Sequence, residues 1–215
     1  MMAQMPKYIV FTDASMRRGH GKGARSYCGY GVVILNTETR QYTEFGAELG
    51  GNTVAFGEAW AIYRGIQKAR DLIHDNEETS ILVVTDSKLN VQILSVYIPY
   101  VWDTTDENNW KKKDGLPVRN QDVYKRIVHM LEDNPHMKVR ITHINSHLSQ
   151  KEWPRTKKKL EKYGIIADSK TAQMFMEMNG RADEIAQSIT KRMKEEEEKY
   201  GCFIRLEPVK KEEDE

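Results

Sequence analysis

Little in this chain is suited to covalent staples, anchors or membranes. Its two cysteines, Cys28 and Cys202, lie far apart in 215 residues and sit in no metal-ligand spacing. That excludes a disulfide framework, and two thiols fit a reducing compartment. No apolar run reaches the roughly 20 residues that a membrane-spanning helix needs, so no membrane partner is expected. Residues Met1 to Lys7 lack the apolar core of a signal peptide, which makes the cytoplasm the expected location. Excess charge is missing too: 33 Lys and Arg against 32 Asp and Glu leave a net charge of +1. The charge is unevenly spread, however. From Glu195 onward nine acidic residues meet four basic ones, so an acidic tail follows a moderately basic body.

What is present is enough for a buried core: 39% hydrophobic and 30% charged residues over a length suited to one domain with an appendage. The stretch Lys7 to Ser15 reads as an apolar strand ending in a carboxylate, Asp13. Asp is depleted within strands. It can serve there as a turn-forming side chain, or as a carboxylate held on a rigid element and aimed at a metal ion. The basic, Gly-rich loop from Met16 to Ser26 matches no phosphate-cradle pattern and reads as a hairpin connection. Tyr27 to Leu35 and Arg40 to Leu49 alternate as strands around the turn Asn36 to Thr39. Together with the first strand they predict an antiparallel meander.

Asn52 or Thr53 can cap the helix that follows, whose buried stripe is Ala59, Ile62, Ile66, Ala69 and Ile73. Glu58 lies at the edge of that stripe. Compensation of the helix dipole accounts for it, and so does a carboxylate leaning toward the strand ends. Ser80 to Thr85 is a buried-type strand, again ending in an Asp, Asp86, which doubles as a candidate N-cap for the next helix. Trp110-Lys-Lys-Lys113 opens a cationic stretch. It suits either a solvated loop or a surface that grips phosphates and stacks on sugar or base. A helical stripe (Val123, Ile127, Val128, Leu131) and a strand from Met137 to Ile144 follow, then His147 in a loop. Histidine alone among side chains titrates near neutrality without help. Residues 148–178 read as an insertion with seven basic and four acidic residues. It suits a basic arm on nucleic acid or a charged helical hairpin covering an edge. Asn179 is the expected N-cap of the last helix, placing Asp183 in its first turns beside Ala182, Ile185, Ala186 and Ile189.

Asp13, Glu58, Asp86 and Asp183 each have a plain explanation alone. Together they suit a sheet whose strand ends and covering helices converge. Carboxylates do not gather without a cation, because like charges raise one another's pKa. Hard oxygen ligands suit magnesium or manganese. At this point the sequence resembles type 1 ribonuclease H from Lys7 to about Lys191, apart from the insertion. The matching segments are Thr12-Asp-Ala-Ser15, Gly29-Tyr-Gly31, Glu58, Thr85-Asp-Ser87, Asn109-Trp-Lys-Lys112, Pro117-Val-Arg-Asn120, His147 and Asn179-x-x-Ala-Asp183-Glu-x-Ala186.

The resemblance implies an α/β ribonuclease H-like fold: a mixed five-stranded sheet, three antiparallel strands then two parallel, flanked by helices. It implies a catalytic domain over 1–194, with the insertion at 148–178 and an acidic tail at 195–215. It implies Mg²⁺-dependent cleavage, with Mn²⁺ as a possible substitute, of the RNA strand of RNA–DNA hybrids. The products would carry 5′-phosphate and 3′-hydroxyl ends. By that match Asp13, Glu58, Asp86 and Asp183 bind two ions, and His147 assists proton transfer or product release. Trp110, Lys111, Lys112, Lys113, Thr53 and Lys88 contact the hybrid. No organic cofactor is implied, and a monomer is expected. The chain departs from the family where asparagines usually precede the helix glutamate: Val54 and Ala55 stand there. Two other readings remain: a DNA-cutting nuclease or recombinase on the same fold, and a nucleic-acid-binding module without catalysis.

Overall fold

The computed structural model of the chain describes residues 5–18, 26–50, 52–74, 77–102, 104, 110–145 and 151–200. Its elements run β1 (Tyr8–Arg18), β2 (Ser26–Asn36), β3 (Tyr42–Gly50), α1 (Val54–Arg70), β4 (Thr79–Thr85) and α2 (Lys88–Gln92). A π-helical turn (Ile93–Tyr97) leads into α3 (Ile98–Tyr100). Then come α4 (Gln121–Glu132), β5 (Met137–His143), α5 (Trp153–Glu161) and α6 (Ser169–Tyr200). One sheet has the order β3-β2-β1-β4-β5. β1, β2 and β3 pair antiparallel, and β1, β4 and β5 pair parallel. This is the mixed five-stranded sheet expected from the sequence.

Strand alternation sorts the core onto two faces. Val10, Val32, Ile34, Ile81 and Val83 meet the α1 stripe of Ala59, Ile62, Ile66 and Ala69, with Val123 and Ile127 of α4 behind it. Ile9, Phe11, Val33, Leu82 and Val84 meet Phe175, Met178 and Ala182 of α6. Phe11 and Phe175 pack edge to face with ring centroids 5.1 Å apart. Burial of each ring is worth about 1.5–3 kcal/mol. The turn between β2 and β3 is tied by Asn36, whose Oδ1 accepts from the Glu38 and Thr39 amides at 2.9 and 3.1 Å.

Three local expectations are corrected. Asn179 does not cap the last helix: α6 starts at Ser169, and Asn179 is buried inside it. The apolar run around Phe175 continues the helix because its side chains fill the second core face. Asp86 does not cap α2 either. Ser87 does, with Oγ accepting from the Asn90 amide at 3.4 Å. Finally, β1 does not end at Asp13. Its antiparallel pairing runs on to Arg18, and only the parallel ladder with β4 stops at Thr12. The helix α6 also continues through the acidic residues Glu195 to Glu198, where Lys191, Arg192 and Lys194 pair with acids four residues on.

Residues of the sequence insertion cover the edge of the sheet. β5 is an edge strand, and its outward carbonyls need partners. Tyr163 Oη donates to the Ile141 carbonyl at 3.3 Å, and Lys159 Nζ to the His143 carbonyl at 3.3 Å. Leu160 is fully buried, and Trp153 tilts against Phe175. The edge-covering alternative for this segment therefore describes its packing.

The seating of α6 depends on Gly31. An added Cβ there would lie 2.1 Å from the Ala182 carbonyl oxygen, a helix backbone atom that has no room to move aside. Gly31 is also the ladder partner of Asp13. The missing side chain thus lets the helix settle over β1 and β2 at the residue next to Asp183. Gly31→Ala is expected to destabilise the fold by about 3 kcal/mol through overpacking. Gly180→Ala, with open space around its Cβ, is expected to stabilise by about 0.5–1 kcal/mol through helix propensity. Urea denaturation of both variants checks the pair; equal effects would refute the close approach of α6 to Gly31.

Candidate active site

The pairing of β1 with β4 sets the first two carboxylates side by side. Thr12 opposes Thr85 in the parallel ladder, so Asp13 and Asp86 follow at the same level. The chain leaves β1 toward β2 and leaves β4 toward β5. Ligand sites in open α/β sheets form where neighbouring strands depart in opposite directions. By alternation Asp13 points to the face covered by α6. The Asp183 carboxyl lies within hydrogen-bonding reach of Asp13, and Gln187 Nε2 donates to Asp183 Oδ1 at 2.7 Å. Asp183 sits several turns into α6 rather than at its start, so dipole compensation does not account for it.

Glu58 arrives from the other face. Thr53 caps α1, its Oγ1 accepting from the Phe56 amide at 3.2 Å. Gly57 lets the helix press onto β1, since a Cβ there would come within 2.9 Å of the Ala14 Cβ. The Glu58 carboxylate then accepts from Ser87 Oγ and from Asn90 Nδ2, the latter at 3.2 Å. Asn90 is wholly buried and accepts from Tyr124 Oη of α4 at 2.6 Å. A buried polar chain with each member partnered rigidifies its site. Here it fixes Glu58 relative to α2 and α4.

The charges raise one another's proton affinity. Burial, then Asp86 and Asp183, push the Asp13 carboxyl up to about 8, against the Ala14 amide that donates to it at 2.7 Å. Burial also raises Glu58, with the hydrogen bonds from Ser87 and Asn90 pulling down and Asp86 pushing further up. Burial and then Glu58 raise the Cys28 thiol to about 11, so it is a neutral, packed side chain.

Among the described residues, no three His, Cys, Asp or Glu side chains stand close enough to enclose a metal ion as they are. The donor chemistry nevertheless fits a hard divalent cation. The donors are all carboxylates, and Asp13 carries a proton to pH 8 where a cation would otherwise compensate the charge.

The other site expectations divide. His147 lies outside the described residues. An open cleft is lined by Glu58, Asp86, Ser87, Lys88, Leu89, His143 and Asn145. His143, at the end of β5, was missed by the sequence reading. Its position one strand over from Asp86 follows from pairing with Thr85, which no local pattern displays. Burial, then Lys159, Lys88 and Arg155, hold its imidazole below the usual histidine range, so it is neutral at pH 7. Lys88 and Thr53 are exposed, as are Lys111 and Lys113. Lys112 pairs with Asp114 at 3.5 Å. Trp110 is 1% exposed, with Lys125 Nζ 5.9 Å from its ring centre. The expected stacking face is therefore corrected: the indole anchors the cationic stretch in the core shared with α1 and α4.

The RNase H family model matches residues 5–158. No curated protein matches the chain. Among solved structures, the solution structure of the RNase H domain of prototype foamy virus is similar, with a TM-score of 0.63 and 19% identity. The match covers 88% of this chain and 97% of that one. The crystal structure of the prototype foamy virus protease-reverse transcriptase aligns at TM-score 0.59 and 17% identity, over 86% of this chain and 21% of that one. This chain therefore spans about a fifth of that viral protein. RNase H1 LC11, isolated from compost and solved in complex with an RNA/DNA hybrid, aligns at TM-score 0.51 and 18% identity, over 86% and 98% of the two chains.

The Asp13 environment sets a pH dependence of stability. An unfolded Asp loses its proton near pH 4, and folded Asp13 near pH 8. Between those values the folded state holds the extra proton, so this contribution to stability is full below pH 4 and is lost as pH rises through 8. Asp13→Asn removes that slope. In EDTA the variant is expected to match wild type near pH 4 and to exceed it by about 5 kcal/mol at pH 8, four pH units at about 1.36 kcal/mol each. Urea titrations across that range check this; parallel curves for the two proteins would disprove it.

Proposed function

Because this chain belongs to the RNase H family, we propose that it is a divalent-metal-dependent endonuclease. It hydrolyses the RNA strand of RNA–DNA hybrids and leaves 5′-phosphate and 3′-hydroxyl ends. The observation that supports it is that Asp13 and Asp86 lie level at the end of the β1–β4 ladder, with Asp183 beside Asp13 from one face and Glu58 acting on Asp86 from the other. The hybrid as substrate is supported by LC11 RNase H1 and the foamy viral protease-reverse transcriptase, both solved with RNA/DNA hybrid.

The four carboxylates would hold the metal, preferably Mg²⁺. Two bound ions supply activation of a water and stabilisation of the leaving oxygen of the phosphodiester. The chain's own groups do the rest. Ser87 and Asn90 hold the Glu58 carboxylate in one orientation, and Gln187 holds that of Asp183. Preorganisation of this kind lowers the reorganisation needed at the moment of reaction. His147 is the candidate for moving the proton of the leaving group, and neutral His143 stands in the same cleft as Asp86. Lys111 and Lys113 on the cationic stretch, with Lys88 and Thr53 nearer the carboxylates, would contact the phosphate backbone.

Matched RNA–DNA, RNA–RNA and DNA–DNA duplexes with Mg²⁺ distinguish the readings. Wild type is expected to cut the RNA of the hybrid, with 5′-phosphates on the products and no cleavage in EDTA. Asp13→Asn is expected to reduce the rate by on the order of 1,000-fold or more, since it removes several kcal/mol of metal-borne stabilisation. Cleavage of duplex DNA alone would instead favour the DNA-cutting alternative. Binding of all three duplexes without cleavage would favour a non-catalytic module.

A further inference from the structure

The basic residues of α5 are not equivalent. Lys157 faces Glu161 at 4.0 Å, and Lys158 is exposed. Lys159 is different: it is half-buried and donates Nζ to the His143 carbonyl at 3.3 Å. Arg155 lies one turn earlier, on the same helix face. Lys88, at the start of α2, lines the cleft with Asp86, Glu58 and His143. Arg155 and Lys88 both act on Lys159, which burial already holds below the usual lysine range, and all three act on His143. So cations from two separate elements converge on the end of β5. Among the described residues, none of the three forms an ion pair with a carboxylate. The arrangement is also rigid, because α5 is pinned through Leu160, Trp153 and the edge bonds to β5.

Like charges held together on fixed elements cost stability unless an anion lies between them. An anion placed there would be next to the carboxylates, on the β5 side of the cleft and on a different element from Trp110 to Lys113. We propose that Lys88, Arg155 and Lys159 form a second backbone-phosphate site, which grips a phosphodiester of the substrate neighbouring the one that is cut. On this assignment the insertion has two roles: it covers the sheet edge, and it extends the nucleic-acid surface past β5. The proposal rests on the hybrid-nuclease reading of the carboxylate cleft. It adds Arg155 and Lys159 to the residues that touch the substrate.

The test compares two charge-matched variants of the full chain. Arg155→Gln/Lys159→Gln removes two members of the cluster; Lys157→Gln/Lys158→Gln removes the same charge elsewhere on α5. Affinity for a labelled RNA–DNA hybrid is measured by fluorescence anisotropy in EDTA over a series of KCl concentrations. Each phosphate that is no longer neutralised lowers the slope of log affinity against log salt by about 0.7–0.9. The cluster variant is expected to bind about tenfold more weakly at 100 mM KCl, with a slope shallower by about 0.7–0.9, the loss of one neutralised phosphate. In turnover assays its KM rises while kcat at saturating hybrid is unchanged. The control variant keeps the wild-type slope. Equal slope changes in both variants, or none in the cluster variant, would overturn the site while leaving the nuclease reading intact. A wild type that neither binds nor cuts the hybrid would overturn both. Should the double variant fold poorly, Arg155→Gln alone, at an exposed position, is expected to produce half the slope change, and an unchanged slope there counts equally against the site.

Discussion

Carboxylates gathered where water reaches them poorly repel one another, and the surrounding structure is organised to hold them against that repulsion. Asp13 and Asp86 cannot separate, because the parallel pairing of β1 and β4 fixes their level. Asp183 cannot withdraw, because α6 is seated on Gly31 and locked by Phe175 against Phe11. Glu58 cannot swing away, because Ser87 and Asn90 hold it and Tyr124 holds Asn90. The raised proton affinity of Asp13 and Glu58 is the electrostatic trace of that confinement.

The confinement draws on both faces of the sheet. One core ties α1 and α4 to the strands, and the other ties α6 and α5. A shift in either layer would move a carboxylate. The buried chain from Tyr124 through Asn90 to Glu58 connects the site with α4, which supplies none of the carboxylates. Polar groups this deep are tolerated because each has its partner. Exposed ion pairs between α6 and β3, such as Arg181 with Glu44 at 2.7 Å, add little by comparison.

Much of the fold was legible in the chain. An apolar run marked β1, alternation marked β2 and β3, and the three- and four-residue spacing marked α1, whose start was left between Asn52 and Thr53 until the structure selected Thr53. The positions of the acidic residues pointed to one cluster; the structure sets Asp13 level with Asp86 and puts Asp183 beside Asp13, while among the described residues no three acids stand close enough to enclose an ion. What failed were inferences from local chemistry alone. Asn179 has the composition of a cap but lies mid-helix, since Phe175 and Met178 needed the core. Asp86 and Ser87 are both good caps, and strand geometry decided between them. Trp110 precedes three lysines and so read as a surface ring, yet α1 and α4 offered it a buried place. His143 carried no motif; only the neighbouring strand put it beside Asp86.

By itself, then, the sequence determined the periodicities, the strand and helix identities and the inventory of carboxylates, because these depend on residues near one another along the chain. Tertiary structure alone decided which groups share a cleft, which caps are used and which way Trp110 faces. Those outcomes depend on register and on which surfaces meet, and a single line of residues does not encode either locally.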